Sequence, residues 1–255
     1  MTSLNDLKVK IFADGADIKG IRDMAALPYI SGFTTNPTLM RKAGVTDYQA
    51  FAMEAIAAVG NRPISFEVFA DDLKTMEAQA MEIASWGKNV NVKIPVTNTR
   101  GFTMAPLVRK LSARGVVCNV TAIFTLAQME EILEALVPET PAILSIFAGR
   151  IVDAGVDPVP VMAEAVRMTR TMRPLGEVLW ASPREILNVV QADQTGCAII
   201  TATNDMLKKL SSLGKDLDQF SLETVEMFYN DAKAAGYDIQ VAAQNTTEER
   251  TSHAA

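Results

Sequence analysis

The stretch Val90-Asn91-Val92-Lys93-Ile94-Pro95-Val96-Thr97 places a lysine inside a run that otherwise has the composition of a buried strand. Side chains alternate along a strand, so Val92 and Ile94 face one side of the sheet, and Asn91 and Lys93 face the other. A lysine amine that apolar neighbours shield from water is more readily neutral, and the neutral amine can attack a carbonyl carbon. One interpretation of the pattern is a Schiff-base lysine. The alternative, which is the commoner case for a single lysine, is an amine near a strand end that reaches water.

Similar short runs rich in Val, Ile or Phe recur along the chain and alternate with segments of helical periodicity. With residues 90–96, the predicted strands are residues 9–14, 30–36, 64–70, 116–124, 142–148, 177–182 and 198–203. The predicted helices are residues 18–27, 48–59, 73–86, 102–113, 126–136, 159–172, 183–194 and 222–235. Eight strands that alternate with helices predict a parallel sheet closed into a single (β/α)8 TIM barrel, with an extra C-terminal helix.

A doubly wound open sheet is the alternative fold, but no glycine-rich phosphate loop follows the first predicted strand. The length of 255 residues fits one barrel. We predict a barrel domain over residues 1–240 and a mobile tail over residues 241–255.

The composition, 49% hydrophobic and 21% charged, is typical of a globular protein with a large core. Lys and Arg number 24 against 30 Asp and Glu, which gives a net charge of -6, and the basic residues are scattered. Nucleic acid and anionic membranes are therefore not expected as partners. The N-terminal residues lack the apolar core of a signal peptide, and no apolar run is long enough to span a bilayer, so we expect a cytoplasmic protein.

The chain has one histidine, His253, and two cysteines, Cys118 and Cys197, which form no CxxC pair. These counts argue against a metal site, a disulfide framework and any histidine-based triad. Acid–base chemistry then falls to carboxylates, lysine, tyrosine or water.

Each predicted strand carries polar or bulky residues on the same face of the sheet as Lys93, opposite the apolar residues. In strand order they are Asp14; Thr34 and Asn36; Ser65 and Glu67; Asn91 and Lys93; Asn119 and Thr121; Ser145 and Phe147; Trp180 and Ser182; Thr201 and Thr203. In barrels of this kind, catalytic groups lie at the C-terminal ends of the strands. Arg150 follows the sixth strand, and Arg184 is expected beside Ser182 at the start of a helix, where guanidinium, hydroxyl and free N–H groups suit a phosphate.

Four motifs in register resemble those of the transaldolase family, which includes fructose-6-phosphate aldolases. They are Thr34-Thr35-Asn36-Pro37, Val92-Lys93-Ile94-Pro95, Asn119-Val120-Thr121 and Gly149-Arg150-Ile151. Their order and spacing match over roughly residues 8–205. The resemblance implies a class I aldolase that forms a Schiff base on Lys93, needs no cofactor, and acts on sugar phosphates in carbohydrate metabolism such as the pentose phosphate pathway.

The resemblance also implies roles for the other residues. Asp14 would transfer a proton at the C–C bond that breaks, and Glu67 with Thr121 would position a water. The substrate-binding residues would be Asn36, Asn119, Ser145, Phe147, Arg150, Ser182 and Arg184. Family members assemble as rings or dimers, so the resemblance implies a homo-oligomer.

Three positions depart from the family pattern: Gly15, Pro183 and Trp180. Trp180 would narrow the site if its side chain faced the mouth of the barrel. Glu67 and Phe147 favour a transaldolase, because the aldolases tend to carry Gln and Tyr there. The alternatives are an aldolase that releases free dihydroxyacetone, and a non-catalytic sugar-phosphate-binding barrel. A binding protein would gain nothing from three buried ionisable groups, Asp14, Glu67 and Lys93.

Overall fold

A computed structural model of the chain describes residues 3–240. Eight parallel strands form a closed barrel in which each strand pairs with the next along the chain and β8 pairs with β1. The strands are β1 (Lys10–Asp14), β2 (Ile30–Thr34), β3 (Ile64–Glu67), β4 (Val90–Pro95), β5 (Cys118–Ile123), β6 (Ala142–Ile146), β7 (Gly176–Trp180) and β8 (Ile199–Thr203). The predicted (β/α)8 barrel is confirmed.

Helices follow each strand on the outside of the barrel. They are α1 (Ile18–Ala25), α2 (Pro37–Lys42), α3 (Tyr48–Val59), α4 (Leu73–Ser85), α5 (Ala105–Ser112), α6 (Leu126–Ala135), α7 (Ala148–Asp153), α8 (Val159–Met172), α9 (Leu187–Thr195) and α10 (Asn204–Lys208). A further helix, α11 (Leu217–Ala234), comes after the barrel in the sequence. Short 3-10 turns lie at Leu4–Asp6 and Lys209–Ser212.

Side-chain caps explain where several helices begin. Asp17, Asp47 and Asp72 each accept a hydrogen bond from the backbone N–H three residues later, which satisfies a donor that the first helical turn leaves free. Thr125 caps α6 in the same way, with Gln128 returning the bond as a capping box. Carboxylates at these N-termini also suit the helix dipole.

The core has two parts because strand side chains alternate between the two faces of the sheet. The outward residues, such as Val92 and Ile94, pack with the helices in the main core. A smaller apolar cluster fills the barrel interior and contains Phe12, Ile143, Leu179, Ala181 and Ile199. Gly32 makes room for it, since a Cβ there would lie 2.5 Å from the Phe12 ring.

Most of the predicted strands are longer than the observed ones, and no strand boundary differs by more than three residues. The short helices α2, α7 and α10 were not predicted, because five or six residues hold too few turns to show a period. Helix α9 begins at Leu187, four residues after the predicted start at residue 183.

Both cysteines are buried, free thiols. Burial raises the pKa of Cys118 to about 12 and that of Cys197 to about 11. The two thiols therefore stay protonated and unreactive at neutral pH.

The chain divides into two compact units, one ending at Leu213 and the other beginning at Gly214. Within the second unit, Asp216 caps α11 by accepting from the Gln219 N–H at 3.0 Å, and no residue of α11 is buried. The extra C-terminal helix is thus confirmed, although it starts five residues before the predicted position. The domain boundary at residue 240 stays a prediction, and the predicted mobile tail, residues 241–255, lies outside the described residues. None of the described helices combines the length and apolar character needed to cross a bilayer.

Candidate active site

A cavity of about 510 Å³ lies at the C-terminal ends of the barrel strands. All of the predicted site residues line it: Lys93, Asp14, Glu67, Thr121, Asn36, Asn119, Ser145, Phe147, Arg150, Ser182 and Arg184. A second cavity, of about 570 Å³, lies at the opposite ends of the strands and is lined by residues such as Lys10, Asn91 and Glu177. The first cavity alone contains the lysine and both carboxylates, so we take it as the candidate active site.

Lys93 is buried near the end of β4, and its amine has two partners. Nζ lies 3.1 Å from Glu67 Oε2 and donates to the Thr35 backbone oxygen at 2.9 Å. The side chains of Lys93 and Glu67 are 7% and 18% exposed, so the pair is largely shielded from solvent. Partners this close offset part of the cost of burying an ammonium group. Among the described residues, the third position on Nζ has no hydrogen-bond partner, which leaves it available to a substrate.

Asp14, at the end of β1, accepts hydrogen bonds from two neighbours. Thr34 Oγ1 donates to Asp14 Oδ1 at 2.8 Å, and Asn36 Nδ2 donates to Oδ2 at 3.2 Å. Asn36 also caps α2, since its Oδ1 accepts from the Leu39 N–H at 2.9 Å, and this bond fixes which end of the amide faces Asp14. Because Thr34 gives its proton to Asp14, Thr201 is the donor in the 2.6 Å contact between the two threonine hydroxyls.

Desolvation raises the pKa of the Asp14 carboxyl, against the opposing effects of the Lys93 charge and of the hydrogen bonds from Thr34 and Asn36. A carboxyl whose pKa lies closer to neutrality is better suited to exchange a proton with a substrate. Asp14 therefore has local hydrogen bonds, from Thr34 and Asn36, although Gly15 departs from the family pattern.

A chain of polar side chains crosses the cavity floor. Ser145 Oγ donates to Asn119 Oδ1 at 2.7 Å, and Asn119 Nδ2 donates to Ser65 Oγ at 3.0 Å. Next to it, Thr121 Oγ1 is buried with no hydrogen-bond partner among the described residues. A buried hydroxyl in a polar cavity is a suitable anchor for a water or a substrate hydroxyl. Ala122, which follows Thr121, has a φ of 59° where the β5–β6 pairing shifts register.

The cavity rim carries the two predicted phosphate-binding arginines. Arg184 Nη1 donates to Ser182 Oγ at 3.2 Å, and Arg184 Nε donates to Asp153 Oδ1 at 2.9 Å. Arg150 lies on α7 with its guanidinium carbon 5.8 Å from the centre of the Phe147 ring. Arg184 was predicted at the start of a helix, but it lies in the turn before α9, which begins at Leu187.

The prediction that Trp180 lies on the inward face of β7 was wrong. Trp180 is fully buried in the main core outside the barrel, whereas Leu179 and Ala181 line the cavity. The error came from extending strict alternation backwards from Ser182. Ser182 has a φ of 59°, and this left-handed residue turns the backbone so that residues 181 and 182 both reach the cavity. Trp180 therefore does not narrow the site.

Two residues near the site have no sequence signal that would single them out. The Tyr48 hydroxyl, at the start of α3, contacts both backbone polar groups of Glu67. Asp153 binds Arg184 from 31 residues away. Both contacts join distant parts of the chain, which periodicity and local motifs cannot reveal.

Comparison with known proteins shows the family to which the chain belongs. The model of the transaldolase/fructose-6-phosphate aldolase family matches residues 11–252. The chain belongs to this family. Its transaldolase-family relatives include a probable transaldolase of Dehalococcoides mccartyi, 37% identical over 79% of this chain and 90% of the relative. Others are the probable transaldolases of a Roseiflexus species, 36% identical over 79% and 88%, and of Methanococcus maripaludis, 33% identical over 79% and 89%.

Among solved structures, the transaldolase-family chain is similar to one described as a putative phosphonomutase from Burkholderia cenocepacia. The TM-score is 0.54, with 12% identity, and the match covers 83% of this chain and 94% of that one. At that identity the likeness shows the shared fold alone.

Proposed function

We propose that this chain is a transaldolase that moves a three-carbon dihydroxyacetone unit between sugar phosphates through a Schiff base on Lys93. The observation that carries the proposal is the buried Lys93 amine, 3.1 Å from the Glu67 carboxylate in a cavity that Asp14 also lines. Membership of the transaldolase/fructose-6-phosphate aldolase family supports it.

Formation of the Schiff base needs a neutral amine. The Glu67 carboxylate is close enough to take a proton from Lys93 Nζ, and the freed lone pair then attacks the ketose carbonyl carbon. Glu67 returns this proton to the carbinolamine hydroxyl, which leaves as water and gives the protonated imine, an iminium ion. Arginine at this position would stay protonated and could not react.

Cleavage of the C–C bond needs a base at the neighbouring hydroxyl. Asp14 takes that hydroxyl proton, the C–C bond breaks, and an aldehyde leaves. The positively charged iminium nitrogen accepts the electron pair, which gives a neutral enamine. The raised pKa of Asp14 suits it to return the proton when an acceptor aldehyde forms the new bond. Asn119, Ser145 and Asn36 supply amide and hydroxyl groups that can bind the sugar hydroxyls.

The rim suits a phosphate at the far end of the substrate. Arg150, Ser182 and Arg184 present two guanidinium groups and a hydroxyl at one side of the cavity. Arginine binds phosphate oxygens through paired N–H groups, so this side favours phosphorylated sugars over free ones.

The second candidate is an aldolase that releases dihydroxyacetone, an activity that the family description also includes. The unpartnered Thr121 hydroxyl favours it, because a water held there could hydrolyse the imine once the enamine is protonated. The two activities differ only in whether the enamine waits for an acceptor aldehyde.

Borohydride trapping tests the proposal. With a ketose phosphate present, borohydride should reduce the imine and leave the donor carbons on Lys93, as located by peptide mass spectrometry. Lys93→Ala and Lys93→Arg should abolish trapping, whereas Lys42→Ala, which removes another lysine of the same cavity, should not. An adduct on a different lysine would refute the assignment. Product release followed with and without acceptor aldehyde separates transfer from aldol cleavage.

A further inference from the structure

The Tyr48 hydroxyl makes two hydrogen bonds to the backbone of Glu67. The Glu67 N–H donates to Tyr48 Oη at 2.8 Å, and Tyr48 Oη donates to the Glu67 carbonyl oxygen at 3.0 Å. Burial raises the pKa of Tyr48, so the hydroxyl keeps its proton at neutral pH and can act as donor and acceptor together. No strand neighbour provides these two bonds.

The pairing of β2 with β3 shows what the hydroxyl replaces. Along this seam, the Phe33 N–H donates to the Pro63 oxygen at 2.8 Å and the Thr35 N–H donates to the Ser65 oxygen at 3.2 Å. In a parallel ladder the next bond would run from the Glu67 N–H to the Thr35 oxygen. The hydroxyl of Tyr48 accepts that N–H instead.

The Thr35 oxygen is consequently free to accept from another donor, and that donor is Lys93 Nζ at 2.9 Å. The Glu67 backbone, fixed by Tyr48, carries the carboxylate that lies 3.1 Å from the same Nζ. The Tyr48 hydroxyl therefore binds the backbone that carries one partner of the Lys93 amine, and it occupies the N–H that would compete for the other. The hydroxyl itself does not line the cavity.

We infer that Tyr48 is a positioning residue for the reactive amine: it ends the β2–β3 ladder one bond early and so reserves the Thr35 carbonyl and the Glu67 carboxylate for Lys93. The inference rests on the proposed function, because it assigns Lys93 the reacting amine. Without the hydroxyl, the Glu67 N–H takes the Thr35 oxygen, and Lys93 Nζ loses one of its two partners.

Phenylalanine at position 48 isolates the hydroxyl, because the ring is held independently. The Tyr48 ring packs against three aromatic rings, with centroids 4.7 Å from Phe69, 5.5 Å from Trp86 and 6.1 Å from Phe66. The Tyr48→Phe variant keeps these contacts. Tyr29→Phe is the matched control, since Tyr29 is also half-buried and its hydroxyl makes no hydrogen bond within residues 3–240.

The first measurement is the single-turnover rate of borohydride trapping per correctly folded site. We expect Tyr48→Phe to lower this rate about tenfold, the loss expected when a hydrogen bond of ordinary strength no longer orients the amine. KM for the phosphorylated substrate should change less than about twofold, because the rim is untouched. An unchanged rate per folded site would overturn the inference, even if the total activity of the sample fell because less of the protein was folded.

The second measurement needs no substrate and is a crystal structure of Tyr48→Phe. The Glu67 N–H should lie within hydrogen-bond distance of the Thr35 oxygen, with Lys93 Nζ displaced from it. A Lys93–Thr35 contact unchanged at 2.9 Å would overturn the inference. If the unsubstituted protein traps no donor, the proposed function fails, and this structure still decides the role of Tyr48.

Discussion

The guanidinium of Arg184 binds the carboxylate of Asp153 through two nitrogens: Nε donates to Oδ1 at 2.9 Å, and Nη2 contacts Oδ2. The hydrogen bonds from Arg184 hold the pKa of Asp153 below its usual value, so the carboxylate is charged at neutral pH. A phosphate that reaches Arg184 therefore meets a negative charge already in place.

Asp153→Asn should strengthen binding of phosphorylated substrates. The amide oxygen can still accept from Arg184, while the charge that repels a phosphate is gone. We expect KM for a ketose phosphate to fall about two- to fivefold, with a smaller effect at high salt because both groups are exposed. KM for the unphosphorylated sugar should not change. A rise in the first KM would mean that Asp153 mainly orients Arg184.

Arg184→Ala and Arg150→Ala should each raise KM for phosphorylated substrates about ten- to a hundredfold, since a charge-assisted contact to phosphate is lost. Steady-state kinetics on phosphorylated and free sugars compare the two cases. Arg114→Ala is the control, because Arg114 pairs with Glu77 away from the cavity. Equal effects on both substrate types would show that these arginines do not bind the phosphate.

Gly149→Ala should damage the rim. A Cβ at Gly149 would lie 1.5 Å from the Ser182 backbone oxygen, so residues 149 or 182 must move. We expect a loss of about 1–3 kcal/mol in the free energy of unfolding, together with a higher KM for phosphorylated substrates. Urea denaturation and kinetics measure the two effects. Gly15→Ala is the control, because its Cβ would meet no atom closer than 3.9 Å. Equal stability of the two variants would refute the steric argument.

Asp14→Asn should make the protein more stable at neutral pH while abolishing catalysis. The pKa of Asp14 in the folded protein is raised above its usual value of 3.8, so the unfolded chain ionises first as the pH rises. Below about pH 3.8 both states are protonated and the group contributes no difference. From there upward through the folded pKa, the native protein loses stability that the variant keeps. Urea denaturation across this range should show a gain that grows with pH, and a pH-independent gain would contradict it.

Phe147→Tyr, alone or with Glu67→Gln, should shift the balance from transfer to release. The added hydroxyl could supply a proton to the enamine or order a water near Thr121, which speeds hydrolysis. The measurement is free dihydroxyacetone formed per transfer event, with and without acceptor aldehyde. Phe124→Tyr, on the ring 5.9 Å from Phe147, is the control. Rapid cleavage without acceptor by the unsubstituted protein would make the aldolase the better assignment.

Much of the fold and of the cavity lining could be predicted because the relevant signals are local. Period-two alternation is enough to place Asp14, Glu67 and Lys93 on one face, and parallel strands bring the ends of that face together. Alternation fails at Trp180 because it assumes an extended backbone, and the left-handed Ser182 breaks that assumption.

The partners that tune the site could not be predicted from the sequence. Tyr48 has the position of an ordinary first residue of a helix, and its hydroxyl meets Glu67 only after α3 has folded against β3. Asp153 lies on a helix too short to show a period. Such contacts depend on the packed geometry of the barrel, which no window of the sequence contains.

The apolar cluster inside the barrel makes the two ends of the barrel different. Leu179 and Ala181 line the candidate active-site cavity, whereas Phe12 and Ile143 from the same cluster line the opposite cavity. This packed layer separates the two cavities within the described residues, so under the proposed function a sugar would enter and leave through the same mouth. Residues at the two ends of the barrel can therefore be substituted independently. Those at the C-terminal ends of the strands are constrained by the chemistry of the site, and those at the opposite ends only by folding.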